Sequence, residues 1–109
     1  MKRFHVALAV KDIDESITLY NQKLGCEPEV VISGEYALWR TEILNFSIRL
    51  TPDQSERPIR HLGWEDPKAG SFTSETDING VHWERFSQVD QHNEILSIWP
   101  DVEFDCQVD

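Results

Sequence analysis

Two histidines carry most of the chemistry that this sequence suggests. His5 stands in Phe4-His5-Val6-Ala7 and His61 in Arg60-His61-Leu62-Gly63, each followed two residues on by Ala or Gly. In both segments large apolar residues alternate with small or polar ones. On a strand, each imidazole then shares a face with a small neighbour that leaves room for a ligand. The spacing extends the parallel: His5 to Ser47 spans 42 residues, and so does His61 to Glu103. Ser47 and Glu103 are therefore expected at matching positions on the last strand of each half. Two imidazoles and one carboxylate on converging strands make a facial triad that holds a divalent metal and leaves positions open for substrate or oxygen. A lone strand histidine is more commonly hydrogen-bonded on a half-polar sheet face. Recurrence at one position of an internal repeat favours a shared ion, with Glu103 as third ligand or, if it dissociates, as catalytic base. Glu94 and Glu65 are its rivals.

Other side chains carry less. Arg49 shares the Ser47 face, and these two are the expected substrate-binding residues, since a guanidinium can fork onto an anionic group. Arg40, Arg60 and Arg85 could fork onto an anionic substrate in the same way, but in so acidic a chain they read first as ordinary ion-pair partners, and His82 and His92 read as surface residues. The four tryptophans read as core, with Trp39 and Trp99 at corresponding strand positions. No Gly-rich phosphate loop or nucleophile elbow is present, and neither Cys26 nor Cys106 has a basic neighbour to lower its thiol pKa.

The elements that must position these residues can be read from periodicity. Phe4, Val6, Leu8 and Val10 alternate with His5, Ala7 and Ala9, which is a strand. Asp12 is placed as an N-cap, Glu15 sits at the reciprocal position, and Ile13, Ile17, Tyr20 and Leu24 recur at helical spacing before Gly25. This predicts a helix over 13–24. Val30-Val31-Ile32, Tyr36-Ala37-Leu38-Trp39 and the alternation around Phe46, Ile48 and Leu50 predict three strands. Thr51 to Pro58 is polar, lacks periodicity and carries two prolines, Pro52 and Pro58, so residues 53–58 read as a linker. The pattern then restarts at Ile59, with Leu62 and Trp64 opposite His61, Gly63 and Glu65. Strands are expected over 81–86, 94–99 and 102–108. Pro67, Gly70 and the Ser/Thr-rich run from Ser71 to Thr76 leave the second helix short or missing. The reading is an α+β chain of one domain, with one module at 1–52 and a second at 59–109.

Composition bounds the function. The 109 residues include 20 acidic and 10 basic side chains, for a net charge of −10, and residues 86–109 hold six Asp or Glu and no Lys or Arg. Such a field repels phosphate backbones, so nucleic acid is not an expected partner. No apolar run approaches the roughly 20 residues that cross a bilayer, and no signal-peptide core follows Met1-Lys2-Arg3. A cytoplasmic chain with reduced cysteines, acting on a small molecule and away from membranes, is the expectation.

The stretch from Phe4 to Tyr20, followed by Leu24-Gly25-Cys26-Glu27-Pro28, resembles the first module of the vicinal oxygen chelate superfamily, which includes glyoxalases, bleomycin- and fosfomycin-resistance proteins and extradiol dioxygenases. Tyr36–Trp39, Asn45–Leu50 and Arg60–Glu65 are similar in layout to its lyase branch. The resemblance implies two βαβββ modules forming a U-shaped, partly open barrel around a divalent iron, zinc, nickel, manganese or magnesium ion. It implies first-strand histidines His5 and His61 and a final-strand glutamate as ligands, and a homodimer. The activity implied is that of a lyase, isomerase or dioxygenase in which the metal acts as Lewis acid on an oxygen-chelating substrate. The alternative within the superfamily is a metal-free protein of the bleomycin-resistance kind that sequesters a cationic or aromatic compound. Ser47 stands where glyoxalase I has a further ligand, and the cysteine pair of arsenic-handling members is missing.

Overall fold

A computed structural model describes residues 1–51 and 57–102. The first half holds β1 (Arg3–Val10), α1 (Ile13–Leu24), β2 (Val30–Ile32), β3 (Tyr36–Arg40) and β4 (Leu44–Leu50). The second holds β5 (Ile59–Glu65), β6 (Thr73–Thr76), β7 (His82–Phe86) and α2 (Gln88–Ile98). The seven strands form one mixed, open sheet in the order β2-β3-β4-β1-β5-β7-β6.

The centre of this sheet is built twice. β1 lies parallel to β4, β5 lies parallel to β7, and β1 and β5 run antiparallel between them. His5 faces Gly63 and Ala7 faces His61 across that central pair. The two imidazoles therefore rise from adjacent strands on one face. Alternation directs Leu8, Phe46 and Ile48 to the opposite face, where Ile13, Ile17, Tyr20 and Leu24 of α1 cover Ala37 and Trp39. The Asp12 side chain caps α1 by accepting from the Glu15 backbone N–H at 2.9 Å, and Gly25 ends it at φ 73°, a left-handed value that glycine adopts without strain.

In the second half the helix expected to be short or missing is missing, and one expected strand changes. The segment after β5 makes no helix; it turns on Asp66, whose carboxylate accepts from Lys68 N–H and whose carbonyl accepts from Ala69 N–H. Residues 94–99 are not a strand, because they belong to α2. This helix is opened by a capping box in which Ser87 and Asp90 bond each other's backbone N–H. Its inward side carries Gln91 and Ile95. Ile95 packs with Val30, Tyr36 and Leu38, so α2 lies on the histidine face of the sheet, above the first half. The expected strand over 102–108, and with it Glu103 and Cys106, lies outside the described residues apart from Val102. Among the described residues no helix is long and apolar enough to cross a membrane.

Candidate metal centre

His5, His61 and Glu84 meet at the seam between the halves, and one ligand atom from each lies within 4.8 Å of the others. The two Nε2 atoms are 2.9 Å apart, and Glu84 Oε1 is 3.1 Å from His61 Nε2. Neighbouring positions around an ion with bonds of about 2.1 Å are about 3 Å apart when they subtend a right angle, so these donors are spaced for one ion. Glu84 reaches the group because β7 pairs with β5 so that Gly63 faces Glu84, as Ala7 faces Ser47 in the first half. Ser47 and Glu84 are thus the equivalent pair. The distance from His61 to Glu84 is only 23 residues, against 42 from His5 to Ser47, because the second half omits its helix and one strand. Equal intervals had pointed to Glu103; the register points to Glu84. Gly63 is small for another reason than room for a ligand, since a Cβ there would collide with the Glu84 backbone carbonyl.

The orientation of His5 is set by a chain of buried polar groups. Glu65, 3% exposed, accepts two bonds from Arg40 at 2.8 and 2.9 Å and one from Arg3 at 2.8 Å. Burial alone would raise its pKa; hydrogen bonds from Arg40 and Asn45 and the charges of Arg40 and Arg3 outweigh that and hold it low. An ionised carboxylate only accepts, so Asn45 must turn its amide Nδ2 toward Glu65, at 2.8 Å, and its Oδ1 toward His5. His5 Nδ1–H donates to that oxygen at 2.8 Å, which leaves the Nε2 lone pair facing His61 and Glu84. Gln91 of α2 closes the network, accepting from Asn45 Nδ2 at 2.7 Å and donating to Oδ1 at 3.1 Å.

The charge states suit metal ligation. Desolvation, reinforced by the proximity of His61, lowers the His5 pKa to about 4, so the ring is neutral at physiological pH. For Glu84, burial is outweighed by the hydrogen bond from His61 and the nearby charges of His61, His5 and Arg60, and the carboxyl is held low and ionised. Without an ion, a proton on His61 Nε2 lies between His5 Nε2 and Glu84. The set of one oriented neutral imidazole, a second imidazole and an ionised carboxylate fits a divalent cation, which would take that proton's place.

The centre opens into a narrow cleft of about 40 Å³, whose walls include Tyr36, Ser47, Arg49, Arg60, Phe86 and Trp99. Phe86 packs edge-on against His5 with ring centroids 4.9 Å apart. Burial holds the Tyr36 phenol far above its ordinary pKa, so it remains a hydrogen-bond donor; its hydroxyl faces Ser47. Ser47 and Arg49 thus line the cleft as expected. Glu65 is bound into its arginine clasp, and Glu94 sits on α2 at the cleft wall. Arg40 and Arg85 are in ion pairs, but Arg60 is in the cleft wall. His82 is exposed and bonded to Thr76. Trp39 is core, whereas Trp64 is 40% exposed and Trp99 ends α2 at the cleft rather than matching Trp39 on a strand.

No protein-family model matches the chain, and no curated protein matches it in sequence. Among solved structures, a chain of the crystal structure of NAD-dependent benzaldehyde dehydrogenase from Legionella pneumophila superposes with a TM-score of 0.54 at 12% identity. The superposition covers 77% of this chain and 97% of that one. At that identity the likeness is one of fold. What the fold and the site define together is a small open α+β sheet carrying a group of two histidines and a glutamate able to hold a metal ion.

Proposed function

We propose that the chain is a small metal-dependent enzyme of the glyoxalase-like, vicinal oxygen chelate type, its two halves being a full and an abbreviated βαβββ module. The observation that carries this reading is the convergence of His5, His61 and Glu84, with His5 oriented through Asn45. A final-strand glutamate is what the resemblance implies, and Glu84 stands on the last strand among the described residues. A divalent ion held there supplies Lewis acidity toward a substrate that presents two oxygens, stabilising negative charge as it develops. The protein's own contribution is positional. Asn45 and Glu65 hold the His5 ring, Phe86 keeps water from its edge, and the Tyr36 hydroxyl and the Ser47 hydroxyl border the space a substrate would enter.

The size of the cleft favours this reading over sequestration of a large aromatic compound. Sites for drug-sized ligands run from about 300 Å³ upward, several times the space between α2 and the sheet. A broader depression of about 690 Å³ continues past Arg60 and His61, but among the described residues no Phe, Tyr or Trp lines it, and Arg57 and Arg60 would repel a cation. The test is metal analysis of protein purified without chelator and after reconstitution with several divalent ions. One equivalent per chain, lost in both His5→Ala and His61→Ala variants that remain folded by circular dichroism, supports the enzyme. Absence of metal from the wild-type chain under every condition sinks it.

A further inference from the structure

The floor of the cleft continues beyond the metal group to two guanidinium groups that make no direct ion pair among the described residues, although the carboxylates of Glu84 and Glu94 line the same cleft and act on Arg60 at longer range. Arg49 faces Ala9 across β4 and β1, one same-face step past Ser47. Its guanidinium lies 5.3 Å from the centre of the Trp99 ring, stacked rather than paired. Arg60 reaches the same cleft through an irregularity. β1 and β5 pair evenly as far as Ala7 and His61, after which Leu8 faces Ile59, so Arg60 is the extra residue of a β-bulge. Strict alternation would have sent Arg60 to the face of Leu62 and Trp64. The bulge re-aims it, and consecutive residues Arg60 and His61 both line the cleft. Among the described residues no carboxylate lies within ion-pair distance of either guanidinium, although the chain carries a net charge of −10. Arg3 and Arg40, by contrast, are clasped directly on Glu65.

We infer that Arg49 and Arg60 form an oxyanion subsite, and that the substrate is a small molecule with a carboxylate, phosphonate or phosphate group a few bonds from the oxygens offered to the metal. The class of substrate rests on the metal reading above; the subsite itself does not. Same-face neighbours on a strand are about 6.5–7 Å apart, so the step from Ser47 to Arg49 places the anion just beyond the coordination sphere. Two forked donors in a partly dry cleft recognise a trigonal or tetrahedral oxyanion well. Trp99 holds the Arg49 fork flat at its rim, and local positive charge would offset the repulsion that so acidic a protein exerts on an anion.

Inorganic phosphate is the probe, titrated calorimetrically at fixed ionic strength into the full chain stripped of metal by a chelator. Saturable binding is expected, weakened about tenfold or more by Arg60→Gln and by Arg49→Gln and unchanged by Lys11→Gln. Arg60→Lys should fall between, since it keeps charge and loses the fork. Because a variant could unfold, wild-type protein is also treated with phenylglyoxal: phosphate should protect Arg49 and Arg60, read by peptide mass, and leave Arg57 modified. No saturable binding, equal binding by Arg60→Gln, or no protection overturns the subsite. Metal content is measured on the same preparations. Phosphate binding without any metal uptake leaves the subsite standing and removes the enzyme reading, whereas metal uptake without phosphate binding does the reverse.

Discussion

The two halves of the sheet differ in what covers them. In the first half, α1 lies between β1 and β2 in sequence and shields the outer face, where Ala37, Trp39 and Ile48 have no exposed surface. Among the described residues of the second half nothing corresponds to α1. Phe4 packs against both Trp64 and Trp83 instead, and Trp64 and Ile59 remain 40% and 48% exposed. The helix this half does possess, α2, follows the sheet and crosses over the inner face of the first half, where Ile95 meets Val30, Tyr36 and Leu38. Both helices thus cover the same strands from opposite sides. Besides the edge strand β6, the second half holds what the site needs: a histidine strand, a parallel neighbour to carry Glu84, and a helix that reaches back through Gln91 to the support of His5.

If that comparison is right, the largest loss should come from the carboxylate supplied by the short half. Glu84→Gln should abolish stoichiometric metal binding, whereas Glu103→Gln should leave it intact; mass-spectrometric metal analysis of both variants decides, and the opposite pattern would return the ligand to the interval-based choice. Acid should expose the buried histidine of the full half. The folded pKa of His5 lies near 4 and its ordinary value is 6.5, so the unfolded chain takes up a proton first and stability falls as pH drops through that window. Metal-free protein should lose about 2 kcal/mol between pH 7 and 5, read by urea unfolding, and His5→Gln should flatten this slope. Carboxyl groups held low, Glu65 and Glu84, add their loss only below their ordinary range.

The seam offers a matched pair of smaller effects. Gly63→Ala should destabilise by about 1–3 kcal/mol and weaken metal binding, because the methyl group strikes the Glu84 backbone. Ala7→Gly at the equivalent place should cost roughly 1 kcal/mol and leave metal affinity alone. Asn45→Ala should lower metal affinity by about 10–100-fold, with a smaller loss for Gln91→Ala, measured by competition with a coloured chelator. The least effect belongs to the helix caps: Ser87→Ala and Asp12→Ala should each cost about 1 kcal/mol, and only Ser87→Ala should alter the cleft, since α2 forms its wall.

Much of the first half was legible because local signals there agree. The alternation around His5, the Asp12 cap, the Gly25 stop and the runs at 30–32, 36–39 and 45–50 all point to elements that are found, with β3 and β4 each one residue longer. The second half was harder for identifiable reasons. The inward side of α2 includes Gln91, a polar residue buried by its bonds to Asn45, so the helical apolar period is diluted and Glu94–Trp99 passes for a strand. The Ser87-to-Asp90 capping pair was the signal that could have revealed it. Glu84 was overlooked because it lies in an unremarked alternation, His82-Trp83-Glu84, and because equal spacing assumed equal halves. Composition favours ion pairing for Arg60 over its role as an anion-binding candidate, and a bulge cannot be counted from one strand alone.

By itself, the sequence determined the alternation that brings His5 and His61 onto strands beside small residues, and the duplicated order that sets those strands side by side. These are short-range matters, governed by side-chain period and turn chemistry. Only the tertiary structure decided which carboxylate joins the histidines, which face α2 covers and where Arg60 points. Those depend on the register between strands distant in sequence, and a shift of one residue in such pairing reverses every side chain that it carries.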